Sequence, residues 1–477
     1  MIYNIAIIGA GVIGGMIARE LSKFNLSVIL LEKENDVSRG ASKANSGIIH
    51  GGFDPEPGTL KAKLNSSGIK RLYKAANELN VPHKKNGSLV CAFCDEEDEI
   101  IRELYNRGIT NNIENLRVLT GEEARELEPE LSGEITSALH IPDAGIICPY
   151  QLTIAAIGNA MDNGVSLKCN FEVSNIERKN NKFKITSHYG DYVEAEFIIN
   201  CAGAYGDKIS AFIGDDSFNI IPRAGEYLLL DKCEGCRVTH TIFQAPTKDG
   251  KGILVSPTVD GNLLTGPTAT PVDSPELAAT TEEGLKNVRV SSLKSVPGID
   301  FRQVITTFSG IRASEKAGDF IIGFSEKSNK FLNVAAIDSP GLTCCVSIAE
   351  YVVSLLRDTT LTLEVKTDWN GKRQDVHFFA KMSDKEKSEY IKRNPDYGKI
   401  ICRCEGISEG EIRDAIKTNP PACDIDGIKQ RTRSGMGRCQ GGFCLPGVMK
   451  IISQENSIPI ENVTKNGKNS HFLQNKI

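Results

Sequence analysis

The sequence predicts an α/β protein in which a nucleotide-binding domain is interleaved with an α+β domain and followed by a small helical domain. Three observations carry this. An apolar run, Tyr3 to Ile8, ends in Gly9-Ala10-Gly11-Val12-Ile13-Gly14 and passes into residues at helical spacing. Strand-like and helical stretches then alternate through the middle of the chain. After a polar stretch, cysteines gather between Cys402 and Cys444.

Ile13, Ile17, Ala18 and Leu21 form one helical face behind the glycine turn, and Ser27 to Leu31 makes a second strand ending at Glu32. This is a Rossmann-like βαβ unit. Its glycines serve a tight turn, close backbone approach to a pyrophosphate and packing of helix on strand, while the helix N-terminus offers free N–H groups. Glu32 stands where a ribose hydroxyl would donate to it. NAD and FAD both fit this fingerprint. The small-residue stretch from Gly40 to Gly52 is what favours FAD, because it can run beneath an extended flavin. No second GxGxxG of comparable context occurs, so no NAD(P)H site is expected and electrons should come from an organic substrate.

Further along, Phe197 to Asn200, Glu226 to Leu230 and Gly261 to Leu264 read as strands, and Asp95 to Arg107 and Tyr150 to Asp162 as helices. Phe331 to Ala336 is another strand, and a helix is expected from Pro340 to about Leu356. Glu364 to Pro395 reads as a connector with one exposed helix, and the end from Gln454 as a polar, Asn-rich, frayed tail. The expected division is 1–365, 366–397, 398–453 and 454–477.

Composition narrows the function. The chain has 477 residues, 40% of them hydrophobic, and a net charge of −5, which argues against a nucleic acid partner. No run of eighteen apolar residues exists and Ile5 to Ile8 lacks a basic leader, so a cytoplasmic protein is expected. Its 14 cysteines then point to reduced thiols, metal ligands or redox chemistry. Cys402-Arg403-Cys404 and, after 34 intervening residues, Cys439-Gln440-Gly441-Gly442-Phe443-Cys444 supply four soft thiolates for an iron–sulfur cluster or zinc. Structural zinc usually takes C-x₂₋₄-C pairs, so the CxC spacing counts against it. Ser408 to Glu411 is a capping box opening a helix. Cys423 reads as core, and the pairs Cys91/Cys94 and Cys233/Cys236 as structural. Lys429, Arg431, Arg433 and Arg438 would offset an anionic cluster, dock an acidic carrier, or form a solvated face.

Several segments carry a more specific resemblance: Asn45 to Gly52, Ile198 to Ala204, Gly250 to Pro257, Ser309 to Arg312 and Ser339 to Thr343. Across about residues 1 to 370 the chain resembles FAD-dependent glycerol-3-phosphate dehydrogenases and oxidases of the D-amino-acid-oxidase superfamily. L-2-hydroxyglutarate dehydrogenases share several of these segments. Ile401 to Gly447 resembles the bacterioferritin-associated-ferredoxin-like [2Fe–2S] domain of anaerobic glycerol-3-phosphate dehydrogenase catalytic subunits. The resemblance implies FAD contacts from Gly9, Gly11, Val12, Ile13, Gly14, Glu32, Lys33, Ala41, Ser42, Asn45, Ser46 and Gly47. Val173, Ala202, Gly203, Gly310, Pro340, Gly341, Leu342 and Thr343 complete that set. Cys402, Cys404, Cys439 and Cys444 are the implied cluster ligands.

Oxidising a secondary alcohol requires a base for the hydroxyl proton as hydride leaves carbon for flavin. His50, with an ordinary pKa of about 6.5, suits that role. Lys251 and Arg312 match positions that the family uses for phosphate. One departure is Ala313, where many relatives carry proline. The helix opening at Pro340 would place its positive end against the flavin and stabilise the reduced anion. A flavin takes two electrons and a [2Fe–2S] cluster passes one at a time, so export to a partner subunit or quinone-linked protein is expected. Membrane association would then run only through that partner. The alternatives are a 2-hydroxy acid dehydrogenase and an electron-transfer subunit with no substrate of its own.

Overall fold

The computed structural model describes residues 2–179, 181–246 and 252–473. Its first strand, Ile2–Ile8, lies between two parallel neighbours, Val28–Leu31 and Tyr192–Asn200. Ser166–Lys168 and Ser328–Ala335 extend the parallel region on either side, and antiparallel strands complete eight in all. Strands buried on both faces must be apolar throughout. Ile5, Ile7 and Leu30 are fully buried accordingly. The helices Val12–Leu21, Pro149–Asp162 and Gly341–Arg357 pack one face through Ile17, Leu152, Ile157, Ile348 and Val352. Each such side chain contributes about 1.5–3 kcal/mol by leaving water.

A second sheet of nine strands forms the α+β domain. Its longest pair is antiparallel, Ile221–Leu230 with Val304–Ser314, and sets Arg223 opposite Arg312, Gly225 opposite Gly310 and Tyr227 opposite Phe308. A third, three-stranded sheet holds Ile48–Ile49, and the chain leaves it at His50. The strand expected at Phe197 begins earlier, at Tyr192, because Val193 and Ala195 bury alternate positions before the run becomes continuous. The strand expected at Gly261 instead spans Leu263–Gly266, since Gly261 turns with positive φ.

The cysteine-rich region has its own core, with Ile412, Ile428 and Ile452 fully buried. Its helix Glu409–Lys417 opens with both capping-box hydrogen bonds between Ser408 and Glu411. The frayed tail expected after Gln454 is corrected up to residue 473: Ile458, Val463 and Leu473 pack into this core. A few apolar side chains in a polar stretch suffice to hold it. The connector is likewise attached at its start, where Trp369 donates to Ser22 Oγ at 3.0 Å and Arg373 donates to the carbonyls of Ile154 and Ala155. Its one exposed helix is Asp384–Arg393, with no buried residue. Among the described residues no helix is long and apolar enough to cross a membrane.

Candidate active site and cysteine centre

Gly9 has a φ of +106°, and a Cβ there would overlap the Cys201 carbonyl; at Gly14 it would overlap the Gly9 carbonyl. Only glycine permits this turn. Gly11 leaves room for Ser42, whose Oγ accepts the Val12 N–H at 2.9 Å and caps the helix. Glu32 accepts N–H groups from Ala10 at 2.8 Å and Glu34 at 2.9 Å. Burial pushes its carboxyl above the usual range, against these two bonds, which favour the ionised form.

These elements open on a cavity of about 1570 Å³. Gly9, Gly11, Val12, Ile13, Glu32, Lys33, Ala41, Ser42, Asn45, Ser46 and Gly47 line it, as do Val173, Ala202, Gly203, Gly310, Pro340, Gly341 and Leu342. Gly14 and Thr343 lie behind the wall. Gly14 serves helix packing, and Thr343 is fully buried with its Oγ1 accepting the His50 N–H at 2.8 Å. Arg39, which the sequence reading passed over, also lines the cavity. Its Nε and Nη1 are buried without hydrogen-bond partners, so the wall offers cationic donors to an anionic or oxygen-rich ligand. Volume, glycine cradle and unsatisfied donors together fit an extended dinucleotide such as FAD.

His50 and Arg312 both face this cavity, whereas Lys251 lies outside the described residues. His50 Nε2 is 3.1 Å from Ser339 Oγ. The turn carrying Ser339 is fixed by Asp338, which pairs with Lys61 at 2.6 Å and accepts from Ser314 Oγ at 3.0 Å. On the sheet wall, period-two alternation points Phe308 and Arg312 the same way, with Tyr227 and Arg223 opposite them. All four line the cavity, and the Tyr227 and Phe308 rings stack at 4.7 Å. Gly310 between them lets this wall meet the Ala44 carbonyl. Neither Arg223 nor Arg312 has an ion-pair partner among the described residues. Two like charges directly opposite on neighbouring strands destabilise a sheet unless an anion joins them. Arg223 was legible only once its strand partner was known.

The four clustered cysteines come together in two pairs. Cys404 Sγ lies 3.5 Å from Cys439 Sγ, and the Cys402 and Cys444 thiols contact each other. Gly437 allows this, since a Cβ there would overlap the Cys404 side chain. Burial would raise the Cys439 thiol, yet it lies below its ordinary pKa because backbone N–H groups of Phe443, Gly441 and Gly442 and the Cys404 thiol outweigh that. Among the described residues no three His, Cys, Asp or Glu side chains are placed to hold a single metal ion. Paired thiolates backed by N–H donors would hold a two-iron cluster better than one tetrahedral zinc.

Other cysteines stay apart. Cys344 and Cys345 are fully buried, and burial pushes the Cys91 and Cys345 thiols up to about 12. Cys423 is exposed rather than in the core and contacts Asn35. The solvated face considered for the basic set does not hold for two of its members. Arg431 forks onto Asp36 at 2.8 Å, and Arg433 binds Glu405 and Asp260, both joining the small domain to the rest.

Comparison with known proteins agrees with this arrangement. Residues 4–355 match the family described as FAD dependent oxidoreductase, and residues 400–454 match the BFD-like [2Fe-2S] binding domain. A glycerol 3-phosphate dehydrogenase of Caloramator mitchellensis is 44% identical over 99% of this chain and 98% of its own. A glycerol 3-phosphate oxidase of Mycoplasma pneumoniae is 33% identical over 77% of this chain and 97% of its own. The solved structure of the dithionite-reduced L-alpha-glycerophosphate oxidase from Mycoplasma pneumoniae, with FAD bound, superposes with a TM-score of 0.75 at 33% identity. It covers 78% of this chain and 98% of its own. The glycine turn, the cavity and the paired thiols thus place this chain in the FAD-dependent oxidoreductase family, as a flavoprotein with a [2Fe–2S]-binding domain at its C-terminal end.

Proposed function

We propose that this enzyme oxidises sn-glycerol 3-phosphate to dihydroxyacetone phosphate and passes the electrons through the [2Fe–2S] domain to a partner or quinone-linked acceptor. The observation that carries this is the Arg223/Arg312 pair, two arginines set opposite each other in strand register and both lining the cavity that His50 also lines. A phosphate dianion would satisfy both. The family resemblance implies Lys251, outside the described residues, for the same anion. The whole-chain likeness to a glycerol 3-phosphate dehydrogenase supports a phosphate. Likeness to L-2-hydroxyglutarate dehydrogenases, 32% identical over 56% of this chain for that of Bos taurus and 28% over 73% for that of Nematostella vectensis, falls short of the 99% spanned by the glycerol 3-phosphate dehydrogenase.

Bound FAD supplies the hydride acceptor. The chain's own residues then do the following. With the imidazole proton on Nδ1, His50 Nε2 accepts the Ser339 hydroxyl, and a substrate hydroxyl that displaces Ser339 from that nitrogen gives up its proton there. Thr343 holds the His50 backbone, so the ring is aimed by two groups from one helix start. Retention of such a base and an anion clamp argues against a pure relay subunit.

The test is anaerobic mixing of the FAD-loaded protein with sn-glycerol 3-phosphate while following the oxidised flavin band. Bleaching with dihydroxyacetone phosphate formed is expected. Bleaching by L-2-hydroxyglutarate alone would overturn the phosphate assignment.

A further inference from the structure

The four cysteines are unequally covered. Cys402 and Cys444 are buried, at 1% and 4% exposure, whereas Cys404 is exposed and Cys439 half-buried. A cluster held by these thiolates therefore meets solvent at the Cys404/Cys439 edge. Electron transfer to another protein needs such an edge, and three exposed residues directly adjoin the cluster cysteines in the chain. Arg403 and Arg438 each precede one of the exposed thiols, are exposed, and make no ion pair or hydrogen bond among the described residues. Phe443, beside Cys444, is 87% exposed, more than any other large hydrophobic residue described.

A phenylalanine left in water forgoes the gain of burial, so such a ring marks a contact surface when charges of one sign rim it. The neighbouring acid does not offset that sign: Glu405 is tied to Lys232 at 3.1 Å and Arg433 at 2.9 Å. Residues 398–453 carry nine basic and six acidic residues, a net +3 in a chain of net −5. Arg431 and Arg433 are spent on the domain seam, which leaves Arg403 and Arg438 to face outward.

We propose that this edge, Phe443 flanked by Arg403 and Arg438, is the docking surface for a small acidic one-electron carrier protein. The inference rests on the reading that electrons leave through the small domain. Each alcohol oxidised yields two electrons and two protons; two carrier molecules each accept one electron, and the protons pass to solvent. The aromatic ring supplies contact area, and the arginines steer and orient the carrier without entering substrate chemistry.

The experiment measures binding, with oxidised rubredoxin as the acidic probe and a basic cytochrome c as control, on holoenzyme whose iron and sulfide content has been verified. Wild-type affinity for rubredoxin should fall with rising salt and exceed that for cytochrome c. The double variant Arg403→Glu/Arg438→Glu should weaken it by about tenfold or more. The milder Arg403→Gln/Arg438→Gln pair guards against a folding defect and should show a smaller loss in the same direction. Flavin bleaching by glycerol 3-phosphate should be unchanged in both, so a wrong substrate reading would appear there and leave the binding result intact. Equal rubredoxin affinity in wild type and both variants overturns the proposal. So does reoxidation of the cluster by quinone-bearing lipid vesicles at a rate the variants do not alter, with no rubredoxin binding.

Discussion

Arg39 and Asp424 meet across the seam between the flavin domain and the small domain, with Arg39 Nη2 2.7 and 2.6 Å from the two carboxylate oxygens. Asp424 also accepts from Asn35 at 2.7 Å and caps the helix Ile425–Thr432. A second pair, Asp36 with Arg431, lies beside it, and all four side chains are at most 6% exposed. Two carboxylates and two guanidiniums thus neutralise each other in a buried interface, and Arg39, whose Nε and Nη1 have no partner, also lines the cofactor cavity.

Removing one member of a buried ion set strands the other. Asp424→Ala should cost about 3–5 kcal/mol of stability, read from urea unfolding, and should let a protease release the small domain. A loss below about 1 kcal/mol would show that the seam is held by its apolar contacts instead.

His50→Gln should slow flavin reduction by substrate at least about a hundredfold while FAD stays bound, because a general base contributes 10²–10⁴. Ser339→Ala should slow it less and shift the pH dependence of the rate, since Ser339 acts through the imidazole it contacts. Stopped-flow reduction across pH checks both; an unchanged rate in His50→Gln removes the base.

Arg223→Gln and Arg312→Ala should each raise the Michaelis constant for glycerol 3-phosphate by about 10- to 100-fold, the worth of one charge-assisted hydrogen bond. Turnover at saturation and FAD content should change little. Steady-state kinetics with glycerol as a phosphate-free control decides, because both variants should treat glycerol as the wild type does.

Burial, with His240 and Arg117 nearby, lowers the His140 pKa to about 4. The folded state therefore binds fewer protons than the unfolded state between that value and the ordinary 6.5. Its contribution is fully present above about pH 6.5 and lost as pH falls toward 4. The full shift corresponds to about 3 kcal/mol, of which partial solvation leaves about 2. His140→Gln should flatten the stability profile across that window in urea titrations at stepped pH.

The sequence by itself determined the local grammar. Gly9, Gly11 and Gly14 are required by backbone geometry within one βαβ unit, and the CxC and CxxxxC spacings confine four thiols to two short loops. Such constraints act between near neighbours and leave a mark in spacing. Tertiary structure alone decided the rest. That Arg223 lies opposite Arg312 depends on strand register between residues 89 positions apart. That Arg39 meets Asp424 depends on partners 385 residues apart. It also sorted the basic set near the cysteines into seam and surface, because an arginine's worth depends on whether a carboxylate from elsewhere reaches it. Pairing in space follows from the packing of whole sheets and domains, and no periodicity along the chain encodes it.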